Sequence, residues 1–309
     1  MTVGNGSHTY EIVEGWGKLP KGVEYGYTHG VVTDAQDRVY VHNRSKDAVI
    51  VFDREGNFLS SWGEEFAAGA HGMFLSREGD AEYLYLADPD RHLVAKTTLD
   101  GTILWKIGPP PLSHVYDSPD KYKPTDVAVA PNGDVYVGDG YGQSWVHQYN
   151  TNAEWVRSWG GPGSEPGKMR CPHGLWVDTR GPDPVLLVAD RGNNRIQTFS
   201  LVGEHIGFVT YDLRLPCCFF QFGDELYIPD LHSRVTILDK NNLLVTHIGD
   251  NPGAWTKQGW PNRPAEDLHA EIKVGKFSSP HAACVDSHGD LYVVEWIATG
   301  RLTKLRRKG

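Results

Sequence analysis

The sequence predicts an all-β fold, a six-bladed β-propeller closed by an N-terminal strand. Three observations predict it. A unit of about 45 residues recurs along the chain; each copy divides into four short strand-like runs separated by turn residues; and the last copy lacks one strand, for which a spare stands at the other end of the chain.

The repeat is plainest in two stretches. From Thr28 the chain reads THGVVTDAQDRVYVHNRSKDAVIVFDREGNFLSSWG, and from Pro124 it reads PTDVAVAPNGDVYVGDGYGQSWVHQYNTNAEWVRSWG. Each runs from an apolar strand through an Asp/Asn/Gly turn to a VYV strand, then to a third strand and an aromatic strand ending in Trp-Gly. Further copies start near His71, Pro172, Leu215 and Pro280. Blades are thus expected over about residues 28–63, 70–108, 123–160, 171–210, 214–250 and 279–309, in one domain spanning 1–309. The last copy has three strands, and Tyr10 to Gly17 has the form of the missing outermost one. Pairing it with the last blade removes the edges that an open array leaves exposed.

Composition agrees with a turn-rich globular chain: 35 Gly, 19 Pro and 39% hydrophobic residues supply both turns and core. A net charge of −9 argues against nucleic-acid or anionic-membrane partners, which need clustered Lys and Arg. The one basic run, Arg301 to Lys308, reads as a solvated terminal strand. No apolar run approaches the roughly 18 residues that span a bilayer, and Met1 to Tyr10 lacks a signal-peptide core, so the expected location is the cytoplasm. Four cysteines, two of them adjacent, do not form a disulfide framework and are expected to be reduced.

Two connections are long. Gly108 to Tyr122 is rich in proline, and Asp250 to Lys276 carries Trp255, Trp260 and His269. Long insertions in a compact scaffold are commonly binding loops, and both are expected to wall a pocket at the channel mouth.

Aligning the six units at the start of the innermost strand gives His29, His71, Thr125, His173, Cys217 and His281. Blades two, four and six lie roughly 120° apart in a six-bladed ring, so His71, His173 and His281 are expected to converge as a tripod. Three imidazoles with a vacant position are the ligand set of a catalytic zinc, although several divalent metals accept imidazole. The bland alternative is a Pro-His-Gly turn whose rings bond local backbone, since NHL repeats, the class to which these units conform, often carry a histidine there.

PTDVAV with VYVGDGYGQSWVHQY, and PHGLWV with LLVADRGNNRIQTF, give the chain a resemblance to peptidyl-α-hydroxyglycine α-amidating lyase, a propeller enzyme that releases an amide and glyoxylate. It is closest over about Pro124 to Phe199. The resemblance implies that His71, His173 and His281 bind zinc, that Tyr141 is the general base and that Arg191 binds the substrate carboxylate. Zinc lowers the pKa of a bound hydroxyl, and a nearby cation and guanidinium favour a tyrosinate. Arg44, His29, His232 and Glu295 are further candidates to line the pocket around a small-molecule substrate, with solvated turns as the alternative for His232 and Glu295. The family's cysteine after the tyrosine is Gly142 here, its next paired cysteines are Leu187 and Thr198, and an aspartate ligand of its calcium is Ala282, which argues against calcium. A methionine of its pocket is Ser279. Two other functions stay open: a non-catalytic NHL interaction propeller, and a propeller-type lactone hydrolase, whose sites use carboxylate and amide oxygens around calcium.

Overall fold

The computed structural model describes residues 1–308. It is a nearly all-β, six-bladed propeller, each blade an antiparallel sheet. Two compact units divide the chain. Met1–Ala67 with Asp212–Gly309 holds blades one, five and six; Ala68–Tyr211 holds blades two, three and four.

In the second unit the innermost strands are Met73–Glu78, Asp126–Val129 and Pro172–Asp178, each followed outward by three more. In the first they are Thr28–Thr33, Phe220–Phe222 and Pro280–Val285. The second strands are β-branched and aromatic, and such side chains fit a sheet packed on both faces. Val39–Asn43, Val135–Gly138 and Leu291–Glu295 are buried at every position. Aspartates make the turns: Asp34 Oδ1 accepts from the N–H groups of Gln36 and Arg38, and Asp286 Oδ1 from those of His288 and Asp290. Gly289, at φ 83°, supplies the left-handed residue the second of these turns requires.

The cores lie between neighbouring blades. In the first unit Val41, Ile50 and Phe52 pack with Tyr292 and Val294, and Tyr227 and Ile237 pack with Val293 and Leu305. In the second, Tyr136 and Val146 meet Leu175 and Phe199, while Tyr85 and Val94 meet Val127 and Val137.

The N-terminal strand closes the last blade as expected, but over different residues. His8–Ile12 pairs with Arg301–Arg307 in the register Tyr10 with Arg307, Glu11 with Arg306 and Ile12 with Leu305. The expected strand ran on to Gly17; it ends at Ile12 because Trp16 turns inward, its ring 5.4 Å from Phe52 and 5.2 Å from Tyr292 and its indole N–H on the Arg54 carbonyl. A fifth strand, Thr2–Asn5, then covers the outside of the blade. Blade five also departs from expectation, its inner strand narrowing to Phe220–Phe222 after a left-handed Leu215. The long 250–276 connection contains a helix, Ala265–Lys273, tied down by Glu271 to Arg263 and Lys257. No helix among the described residues is long and apolar enough to cross a membrane.

Tyr10 is fully buried, with its hydroxyl 3.4 Å from that of Tyr227. Tyr10→Ala should therefore cost about 3–5 kcal/mol in urea unfolding. A loss under about 1 kcal/mol, the size of an ordinary surface change, would mean that the closing strand contributes little.

Candidate active site

Five blades share one device at the end of the second strand. A buried acid or amide there accepts a main-chain N–H from the segment entering the innermost strand: Asn43 from Gly26 at 2.9 Å, Asp139 from Lys123 at 2.7 Å, Asp190 from Arg170 at 2.6 Å, Asp230 from Arg214 at 2.8 Å and Glu295 from Ser278 at 2.7 Å. In blade two Asp88 accepts instead from Arg91 N–H, at 2.8 Å. Two or three residues beyond each of the five tethered N–H groups comes the aligned position, so the clamp fixes where that side chain emerges. His29, His71, Thr125, His173, Cys217 and His281 are all buried.

Within Ala68–Tyr211, blades two, three and four bring four of the expected residues together. The Tyr141 hydroxyl lies 3.1 Å from His71 Nε2 and 3.1 Å from His173 Nε2, and the two imidazole centroids are 4.8 Å apart. Arg191 Nη2 stands 3.5 Å from the same hydroxyl and 3.5 Å from Cys171 Sγ. His71 Nδ1 is 2.6 Å from the Thr125 carbonyl, so the neutral ring carries its proton there and directs a lone pair from Nε2 towards the phenol. A phenol has one hydrogen and so donates to only one of its two imidazole neighbours. An imidazole backed by a carbonyl is an ordinary ligand of a divalent cation, and His71 is so oriented. Tyr141 is partly open to solvent, as a residue meeting a substrate must be.

Within the other unit, His29 and His281 stand 4.8 Å apart between ring centroids. The Tyr27 carbonyl accepts from His29 Nδ1 at 3.0 Å and the His29 carbonyl from His281 Nδ1 at 2.8 Å, leaving Nε2 of each neutral ring as its ligating atom. Metal-ligating atoms of His281 and Cys217 approach within 4.8 Å. Arg44 hangs its N–H on the same Tyr27 carbonyl and borders a cavity of about 380 Å³ with Glu24, Lys46 and Asp47. His232 is half-buried, stacked on Trp255 at 4.9 Å and edge-on to Trp260; burial, and then Arg214, push its pKa down. The structure corrects the reading of Glu295. Its carboxylate is fully buried and accepts from the N–H groups of Ser278 and Ser279 and from Arg301, so it holds the entry to the His281 strand and has nothing to offer a substrate.

Sequence reasoning missed a second layer behind Tyr141. Tyr116, from the 108–122 connection, donates to Asp139 Oδ2 at 2.7 Å and lies 2.7 Å from His147 Nε2, while His147 Nδ1 meets Ser158 Oγ at 2.7 Å. Burial pushes the Asp139 carboxyl up to about 6 against the N–H donors that hold it, and pushes His147 down to about 3. No periodicity marks Tyr116, because it sits in an insertion outside the repeat.

His147 makes the fold acid-sensitive. In the unfolded chain it takes up a proton below about 6.5, whereas in the folded protein it stays neutral down to about 3. Its contribution is fully present above 6.5 and is lost as pH falls towards 3. Between pH 7 and pH 5 that loss is about 2 kcal/mol. His147→Gln should shrink the pH dependence of unfolding by about that amount, read from urea midpoints at the two pH values; an unaltered dependence would show that His147 is protonated in the folded state.

No protein-family model matches the chain. Its homologues are NHL repeat-containing proteins and peptidyl-α-hydroxyglycine α-amidating lyases. It is 31% identical to NHL repeat-containing protein 3 of Mus musculus over 206 residues, which is 62% of this chain and 57% of that protein. It is 28% identical to a probable peptidyl-α-hydroxyglycine α-amidating lyase of Caenorhabditis elegans over 156 residues, 49% of this chain and 43% of that one. The chain thus spans less than two thirds of the length of the curated relatives it matches. Among solved structures it resembles a gluconolactonase from Xanthomonas campestris, with a TM-score of 0.64 and 14% identity over 92% of this chain and 87% of the other, a likeness of fold.

Proposed function

We propose that this chain is a metal-dependent lyase that cleaves a carbon–nitrogen or carbon–oxygen bond in a small hydroxylated substrate, hemiaminal-like or of the hydroxy-acid type. The observation that carries the reading is the Tyr141 hydroxyl, 3.1 Å from each of two imidazole nitrogens and 3.5 Å from a guanidinium. Relatives named as amidating lyases support it.

His71 and His173 hold the cation, which we take as zinc, with Thr125 orienting the first. His281 is the third ligand on the strength of its place in the repeat and of a Nδ1 already given to a carbonyl. A bound zinc supplies Lewis acidity that lowers the pKa of a substrate hydroxyl. Tyr141 takes the proton from that hydroxyl onto its phenolic oxygen and returns it to the leaving group. Arg191 pairs with the substrate carboxylate and favours the deprotonated phenol. His29, Arg44 and His232 line the rim. The reading includes a reducing, cytoplasmic setting in which Cys171, Cys217, Cys218 and Cys284 are thiols, and no nucleic-acid or membrane partner.

Metal analysis is the test. The purified protein should hold one zinc per chain, His173→Ala should weaken binding beyond the roughly 10–100-fold that loss of an outer-shell partner costs, and His281→Ala should do the same. Tyr141→Phe should keep the metal while slowing glyoxylate release from an N-acyl-α-hydroxyglycine by about 10²–10⁴-fold. Zinc well below one per chain, indifferent to His173→Ala, sinks the lyase and favours the second reading, a non-catalytic interaction propeller, which the NHL repeat-containing relatives motivate.

A further inference from the structure

The strand-end clamps differ in what caps the carboxylate. In blades four, five and six an arginine opening the blade's own third strand does so: Arg195 on Asp190 at 2.7 Å, Arg234 on Asp230 at 3.0 Å and Arg301 on Glu295 at 2.5 Å. Each arginine sits directly across the ladder from its acid. Each arginine also donates to a carbonyl of the connection entering its blade, Lys168, Asp212 and Leu268 respectively, so there the carboxylate meets the connection through an arginine of the sheet.

Blade three lacks that arginine. The residue across from Asp139 is Trp145, whose carbonyl accepts the Asp139 N–H at 2.8 Å. Asp139 is capped from outside the sheet, by the Tyr116 hydroxyl of the 108–122 connection. The same carboxylate accepts from Lys123 N–H at 2.7 Å and Gln143 N–H at 2.6 Å, and Tyr141 N–H bonds the Lys123 carbonyl at 3.3 Å. Asp139 therefore grips the chain on both sides of Tyr141. The ends of the connection are tethered, Gly108 by Tyr149 and Tyr122 by His92, while Pro111, Leu112, His114, Asp117, Pro119 and Asp120 are exposed. Tyr116 packs inward on Tyr122 and His147, at 5.6 Å from each.

We infer that Tyr116 is a positioning residue that latches the 108–122 connection to Asp139, so that this connection acts as a lid whose seating fixes the turn carrying Tyr141. In blade three the connection reaches the carboxylate directly, through the Tyr116 phenol, and that direct bond couples the two. A hydrogen bond to a buried carboxylate is strong enough to hold the lid, and Tyr116 makes it from the middle of a connection whose Leu112, His114, Asp117 and Asp120 are exposed. Its bearing on catalysis rests on the lyase reading; the latch does not.

Amide hydrogen exchange of the full chain tests it with Tyr116→Phe and Asp139→Asn. Tyr116→Phe should speed exchange about tenfold over both 108–122 and 139–145, the loss expected for one such bond, and leave 190–195 unchanged because Arg195 still caps that turn. Asp139→Asn sets its NH2 against either the Lys123 or the Gln143 N–H group, which donate to different carboxylate oxygens, and should speed both segments at least as much. Unchanged exchange at 139–145 in Tyr116→Phe overturns the latch, as does equal acceleration at 190–195, which would mark a general loosening. If Asp139→Asn loosens 139–145 while 108–122 stays slow, the coupling is likewise overturned. Zinc titration of the same samples separates the two ideas: failure of the unaltered protein to bind zinc rejects the lyase and leaves the exchange rates to decide the latch alone.

Discussion

A buried acceptor at the end of the second strand is the constraint on which the molecule's other features depend. The segment entering each innermost strand arrives from the preceding connection with main-chain N–H groups that find no ladder partner, and a buried N–H left so costs about 1–3 kcal/mol. Asn43, Asp139, Asp190, Asp230 and Glu295 each accept one. Once that bond is made, the side chain two or three residues later has a fixed point of emergence. The aligned position can then be His, Thr or Cys without disturbing the backbone, which is how one scaffold carries a chemically varied ring of side chains.

The clamp sets the protonation of its neighbours as well. Carbonyls of the pinned segments receive Nδ1 of His29, His71 and His281, so neutral rings present Nε2. That is the tautomer a metal site needs, and it is prepared by main chain alone. The clamps also carry their own electrostatic cost. Where an arginine sits opposite, removing it would strand a buried charge at about 3–5 kcal/mol. Asp139 has a phenol in that place, and burial pushes its carboxyl up to about 6.

The repeat was legible because it recurs: strand composition, turn aspartates and the Trp-Gly endings repeat often enough to give six blades. His71, His173, Tyr141 and Arg191 were legible as candidates from position and resemblance, and the structure brings these four together. What escaped has no period. The end of the closing strand depends on Trp16 finding Phe52 and Tyr292, contacts hundreds of residues apart in one case and dozens in the other. Glu295 reads as a rim residue until Arg301 and the Ser278 and Ser279 N–H groups are seen to surround it. Tyr116 lies in an insertion, where neither alternation nor register says which side chain turns inward.

Gly142 shows how closely the clamp and the candidate site depend on each other. A Cβ at that residue would lie 1.9 Å from Asp139 Oδ1 and 2.3 Å from the Lys121 carbonyl. Any side chain would therefore drive the carboxylate off the N–H groups that shape the Tyr141 turn. The amidating lyases that the chain resembles place a cysteine after the corresponding tyrosine and so can tether the turn covalently. Here the turn is held by a carboxylate and a loop phenol, and that arrangement requires glycine. A carboxylate capped by Tyr116 depends on where the 108–122 connection lies: the glycine leaves room for the carboxylate, and the phenol caps it.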